Sequence, residues 1–134
     1  MTRRRLWAAV AAVLGIGLVA GGCFLFPNRP PEAAFVVLYG VDPEDPLVVD
    51  LDATLSVDPD GDAIVAYQWV FGEDVTLIAP EAYTQLVNTP TLRVRYPFEG
   101  TYQVTLAVRD ERGADSQPVS QTLTLPNIPV EPTE

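Results

Sequence analysis

Residues 96–110, which read YPFEGTYQVTLAVRD, decide the fold. Beyond the turn at Gly100, every second side chain is apolar, at Tyr102, Val104, Leu106 and Val108. A period of two is typical of a β-strand that buries one face. The stretch therefore predicts a long strand with one face in a hydrophobic core.

Shorter stretches with the same period lie on both sides of it, separated by turn clusters rich in Asp, Gly and Pro. We expect strands at 34–38, 47–52, 65–71, 92–96 and 119–125, and a short edge strand at 75–78. In 65–71, the core face should carry Val65, Tyr67, Trp69 and Phe71. Because no helical period follows residue 22, these strands predict an all-β fold, a single antiparallel β-sandwich.

The first 23 residues have the organisation of an export signal. Arginines at 3–5 precede an apolar stretch from Leu6 to Ala20, and two glycines lead to Cys23. The run VAGGC at 19–23 resembles a bacterial lipobox, whose cysteine accepts a lipid and becomes the mature N-terminus. We therefore expect a helical lipoprotein signal peptide at 1–22 and a membrane anchor formed by lipid on Cys23. An uncleaved membrane-spanning segment is the alternative.

The remaining chain divides into a tether, one domain and a tail. Residues 23–32 contain three prolines and predict a semi-stiff tether, 33–125 predict the sandwich, and 126–134 predict a disordered tail. Phe24 follows the cysteine in place of the aspartate that commonly retains lipoproteins at the inner membrane. We therefore expect the protein at the periplasmic face of the outer membrane or at the cell surface.

The composition excludes several classes of function. The chain has 18 acidic residues, eight arginines, and neither lysine nor histidine. The mature part keeps all 18 acids but only five arginines, and so carries 13 net negative charges. Such a protein is repelled by nucleic acid, and without histidine it lacks Ser-His-Asp, Cys-His and ordinary zinc sites. We expect no enzyme activity, no cofactor and no nucleic-acid partner.

Three motifs, in this order, resemble those of the PKD domain family: LDATLSVDPDGD at 51–62, YQWVFG at 67–72, and the stretch at 96–110. The resemblance implies an immunoglobulin-like β-sandwich, with structural motif residues Trp69, Phe71, Gly72, Gly100, Tyr102 and Asp110. We expect the Trp69 indole to fill the space between the sheets and the Tyr102 phenol to close a corner onto backbone.

Asp58, Asp60 and Asp62 are spaced by two, a pattern similar to part of a calcium loop. The glycine and glutamate that complete an EF-hand loop are missing. We therefore expect an Asx-type turn, in which Asp side chains accept hydrogen bonds from nearby backbone amides. Calcium remains the alternative, and it would need further ligands such as Asp110 or Asp115 close to the turn.

Outward-facing charges occur on two of the predicted strands. Arg93 and Arg95 lie on one, and Asp50 and Asp52 lie on the strand that pairs with it in an immunoglobulin-like topology. We expect a cross-strand charge ladder, and a docking face for an acidic partner is the alternative.

The family resemblance implies an extracellular interaction or spacer module. We expect a non-enzymatic envelope lipoprotein that binds another envelope protein or serves as an accessory or spacer subunit. The alternative is a polysaccharide-binding lipoprotein, for which Tyr39, Tyr83 and Phe98 are the candidate loop aromatics.

Overall fold

A computed structural model describes residues 26–81 and 88–128. The expected signal peptide, Cys23, Tyr83 and tail residues 129–134 lie outside the described residues. The described part forms the strands β1 Val36–Leu38, β2 Val48–Asp52, β3 Ile64–Val70, β4 Thr76–Ala79, β5 Thr91–Arg95, β6 Gly100–Asp110 and β7 Val119–Leu125. Within these ranges, no helix has the length and apolar character needed to cross a bilayer.

The strands form two sheets that pack face to face. One has the order β1-β2-β5-β4 and the other the order β3-β6-β7, and all neighbouring strands are antiparallel. This confirms the all-β antiparallel sandwich expected from the sequence. The strand ends differ from the expected ones by at most two residues.

Side chains that alternate along both sheets meet in one core. β6 buries Val104, Leu106 and Val108 completely, as its alternation predicts. The other fully or almost fully buried side chains of the core include Phe35, Val49, Leu51, Leu92, Val94, Tyr96, Leu123 and Leu125. Each buried Val or Leu contributes about 1.5–3 kcal/mol to folding by leaving water.

β3 departs from the expected alternation near its first residue. Its pairing with β6 shifts between Ile64 and Ala66, which makes Val65 the extra residue of a bulge. Val65 is 43% exposed, so the prediction that it faces the core is wrong, and Ile64 packs there instead. Beyond the bulge, Tyr67 and Trp69 pack against the core as expected, although both stay partly exposed.

The antiparallel strands give the sandwich two ends, called here the base and the tip. The base comprises residues 28–32, 53–63 and 110–115, and the tip comprises residues 39–47, 71–75 and 96–99. Two turns of the base place Gly61 at φ 81° and Gly113 at φ 90°. Glycine adopts such angles without a steric penalty.

Candidate functional site

Three carboxylates meet at the base. Oxygens of Asp58, Asp62 and Asp110 all lie within 4.8 Å of one another. The pairing of β3 with β6 brings them together, because Ile64, just after the turn at 58–62, lies opposite Asp110 at the end of β6. The cluster therefore depends on a contact between distant parts of the sequence.

Asp110 is the buried member of this cluster, with no exposed surface. Its Oδ1 accepts a hydrogen bond from the Ala114 amide at 2.8 Å, and its Oδ2 accepts one from Asn28 Nδ2 at 2.8 Å. Burial alone would raise the pKa of Asp110, but these hydrogen bonds, with further backbone bonds from Arg112 and Gly113, hold it below its ordinary value. The side chain is therefore a carboxylate at neutral pH.

Asp58 organises the turn. Its Oδ1 accepts hydrogen bonds from the Asp60 amide at 2.7 Å and from the Asp62 amide at 3.3 Å. This is the Asx-type turn expected from the sequence. Its Oδ2 is buried without a hydrogen-bond donor, as are Asp62 Oδ2 and Asn28 Oδ1. The nearest cation to Asp62 Oδ2 is Arg112 Nη1 at 3.6 Å, which is too far for a hydrogen bond.

Asp60 does not belong to the cluster, although the sequence grouped it with Asp58 and Asp62. Its Oδ2 accepts the Arg29 amide at 2.7 Å, and its Oδ1 accepts Arg29 Nε at 2.7 Å. The hydrogen bond from the Arg29 amide is the main cause that lowers the pKa of Asp60, and the guanidinium adds to it. The ligand set of the calcium alternative is thus Asp58, Asp62 and Asp110 instead of the three turn aspartates.

The oxygen donors of this cluster are of the type that hard cations prefer. The cluster offers carboxylate oxygens from three residues, and Asp58 Oδ2 and Asp62 Oδ2 are buried without a donor. Calcium prefers six to eight oxygen ligands of this kind, whereas zinc in proteins is bound mostly by nitrogen and sulfur. Asp110 was expected as a possible further ligand, whereas the hydrogen bond that Asn28 of the expected tether donates to it has no local signal in the sequence.

Tyr102 forms the corner that the sequence predicts. Its phenol donates to the Phe98 carbonyl at 2.7 Å, and its ring centroid lies 4.3 Å from that of Tyr96. Gly100, two residues before it, has φ 152°. The hydrogen bond closes the loop between β5 and β6 at the tip.

Trp69 lies between the sheets as expected. Its ring contacts that of Phe35 edge to face, with centroids 5.2 Å apart and an interplanar angle of 79°. Phe71 packs against the same core. Gly72, which follows, has φ 109°, a left-handed conformation that favours glycine.

The predicted charge ladder is half correct. Asp50 lies opposite Arg93 and binds it through two hydrogen bonds of 2.6 and 2.8 Å. Asp52 does not take part in the ladder, because the register places it opposite Thr91. Arg95 instead binds Asp45 of the tip at 2.6 Å.

Two of the three loop aromatics lie within the described residues, and both are at the tip. Phe98 is 73% exposed and Tyr39 is 36% exposed. Partial burial raises the pKa of the Tyr39 phenol. Neither ring stacks on another ring in the described part of the chain.

Comparison with known proteins gives concordant results. A family model described as the PKD domain matches residues 28–125. The chain is similar to the PKD1 domain of Vibrio anguillarum Epp, with 26% identity over 73% of this chain and 95% of that chain, and a TM-score of 0.53. It is also similar to the PKD1 domain of the Vibrio cholerae metalloprotease PrtV, with 29% identity over 72% and 96% of the two chains, and a TM-score of 0.50.

A third similar structure was solved to explain the promiscuous specificity of carbohydrate-binding modules from the β-sandwich superfamily. It shares 32% identity over 74% of this chain, with a TM-score of 0.54, and this chain spans 35% of its length. No curated protein matches the chain. The family match extends over most of the 134 residues and coincides with the folded sandwich. The chain therefore belongs to the PKD domain family.

Proposed function

We propose that this chain is a non-enzymatic lipoprotein of the bacterial envelope, held in the membrane by lipid on Cys23. Its PKD domain acts as a protein-interaction or spacer module. Membership of the PKD family supports the proposed role of the domain, because PKD domains are often used for interaction. The lipobox-like run at 19–23 supports the anchor.

The observation that carries the proposal is the junction between anchor and domain. Only four residues separate Cys23 from Asn28, and the Asn28 side chain already binds Asp110 of the sandwich. The family match also begins at residue 28. The domain therefore follows the proposed lipid site directly, as expected of a module displayed at a membrane surface.

Substitution of the proposed lipid site tests this function. In a bacterial host with a lipoprotein-processing pathway, Cys23→Ser should abolish labelling by a palmitate analogue. It should also release the domain or leave an unprocessed precursor. Phe24→Ser, which places the same residue one position later, is the matched control and should keep both label and membrane fraction. A Cys23→Ser protein that is cleaved yet still membrane-bound would contradict the proposal.

Polysaccharide binding is the second candidate function. It is favoured by the similarity to the structure solved for carbohydrate-binding modules and by the exposed Phe98 ring at the tip, because exposed aromatic rings can stack on sugars. In pull-downs with insoluble neutral polysaccharides, Phe98→Ala should lower the bound fraction. Leu55→Ala, which removes another exposed apolar side chain at the base, should leave the bound fraction unchanged. Absence of binding by the unchanged protein would remove this candidate.

A further inference from the structure

We infer that residues 28–32 clamp the tether to the base of the sandwich, so that the base faces the membrane and the tip points away from it. The inference rests on the proposed lipid at Cys23 and adds an orientation to it. The orientation follows from the position of Asn28, which lies close to Cys23 in the sequence and is bonded to the base of the sandwich.

The clamp consists of several bonds between the tether and the base. Asn28 Nδ2 donates to Asp110 Oδ2 at 2.8 Å. Arg29 donates from its amide and its Nε to Asp60, each at 2.7 Å, and from its Nη2 to the Pro59 carbonyl at 2.7 Å. These contacts join positions 30 to 82 residues apart in the sequence.

Backbone pairing extends the clamp to the end of the tether. The amide of Glu32 donates to the Val57 carbonyl at 2.7 Å, and the amide of Val57 donates to the Glu32 carbonyl at 3.1 Å. Pro31, between these contacts, is buried. An exposed ion pair such as Arg29–Asp60 contributes little alone, but here it acts together with a partly buried side-chain bond and a two-way backbone bridge.

The stretch of sequence between Cys23 and Asn28 is short. Five residue steps from Cys23 to Asn28 reach at most about 18 Å when fully extended, whereas nine steps to Glu32 would reach about 32 Å without the clamp. Phe24, Leu25 and Phe26 lie in this stretch of sequence, and the Phe26 side chain is 80% exposed. Apolar side chains next to a lipid anchor favour the membrane interface, which brings the base still closer.

The tip is held away from the membrane by the length of the sandwich. β6 runs from tip to base over 11 residues, a distance of about 33 Å at the usual rise per residue. The surface presented to the surroundings is therefore the tip, with the exposed Phe98 ring. The acidic cluster of Asp58, Asp62 and Asp110 lies next to the headgroups.

Fluorescence quenching from the membrane tests the orientation. Glu111 at the base and Glu99 at the tip are both exposed, so Glu111→Cys and Glu99→Cys can each carry one maleimide fluorophore, while the proposed thioether blocks Cys23. The lipidated full chain is placed in phosphatidylcholine vesicles that contain a lipid with a nitroxide on its headgroup. We expect the fraction of emission quenched to be several-fold larger at position 111 than at position 99. Equal quenching of the two labels would overturn the orientation.

A clamp variant tests the cause. Asn28→Ala combined with Arg29→Ala should shrink the difference between the two labels, because the tether gains length and freedom. Arg95→Ala, which breaks a similarly exposed ion pair at the tip, should leave the difference unchanged. If the clamp variant shows the same difference in quenching between positions 111 and 99 as the unchanged chain, the clamp is refuted. Melting curves by circular dichroism verify that each variant is folded. Mass analysis separates the two failures: a chain without lipid refutes the proposed function and the orientation, whereas a lipidated chain with equal quenching refutes only the orientation.

Discussion

Replacing Trp69 with alanine tests how the core of the sandwich is built. The indole packs edge to face on Phe35, and the Phe35 side chain is almost fully buried. Truncation of a large aromatic side chain in a core costs about 3–5 kcal/mol. The Trp69 N–H is buried without an acceptor, so its removal relieves a desolvation penalty of about 1 kcal/mol. We therefore expect Trp69→Ala to lower the free energy of unfolding by about 2–4 kcal/mol.

Urea denaturation measures this change. The chain has two tryptophans, and Trp7 lies in the expected leader. Because Trp69→Ala thus removes the tryptophan that would report unfolding by fluorescence, the transition must be followed by far-UV circular dichroism. Trp69→Phe keeps an aromatic ring against Phe35 and removes the unpaired N–H. It should therefore lower the free energy of unfolding by less than half as much as Trp69→Ala does.

The neighbouring Val70 supplies the control. It is 65% exposed, so Val70→Ala should change the free energy of unfolding by less than about 0.5 kcal/mol. If Trp69→Ala has as small an effect as Val70→Ala, the indole does not fill the space between the sheets. Trp69 would then be a candidate surface platform for stacking on sugars.

Three further predictions concern the corner, the acidic cluster and acid stability. Tyr102→Phe removes the hydrogen bond to the Phe98 carbonyl and should cost about 0.5–1.5 kcal/mol in urea denaturation; an unchanged midpoint would show that the phenol does not hold the corner. The calcium alternative is tested by the melting temperature: a calcium site at the cluster requires that millimolar calcium raise it relative to a chelator, and that Asp62→Asn abolish the rise while Asp60→Asn keeps it, because Asp60 faces Arg29 instead of the cluster; equal melting temperatures with calcium and chelator would refute a cation site. Because the pKa of Asp110 is lowered from its ordinary value of 3.8, its ionisation stabilises the fold fully above that value, and this contribution is lost as the pH falls through the lower folded pKa. Melting curves between pH 2 and 6 should therefore show a smaller loss of stability for Asp110→Asn than for the unchanged chain, and parallel curves would contradict this.

The strands could be predicted from the sequence because alternation reports which side chains leave water. β6 shows this most clearly, since each apolar position from Val104 to Val108 is buried. The bulge at Val65 could not be predicted, because one extra residue reverses the facing of its neighbours without altering the apolar pattern. The partner of Arg95 was missed for a related reason, since register is a property of two strands and not of either alone.

The acidic cluster shows where local sequence ceases to inform. The turn residues Asp58 and Asp62 are visible in the sequence, but their grouping with Asp110 requires the pairing of β3 with β6. Asn28 joins them from 82 residues away, in a stretch whose prolines predicted only a tether. Such contacts follow from the fold, and only the three-dimensional structure reveals them.

The mass of the mature N-terminal peptide is the sharpest test of the proposed display of this PKD domain on a lipid at Cys23. The protein would be extracted from membranes of a bacterium that processes lipoproteins, digested, and analysed by mass spectrometry. We expect a chain that begins at Cys23 and carries a diacylglyceryl thioether on its sulfur. A mature chain that begins at another residue, or that retains residues 1–22 with an unmodified Cys23 thiol, would contradict it.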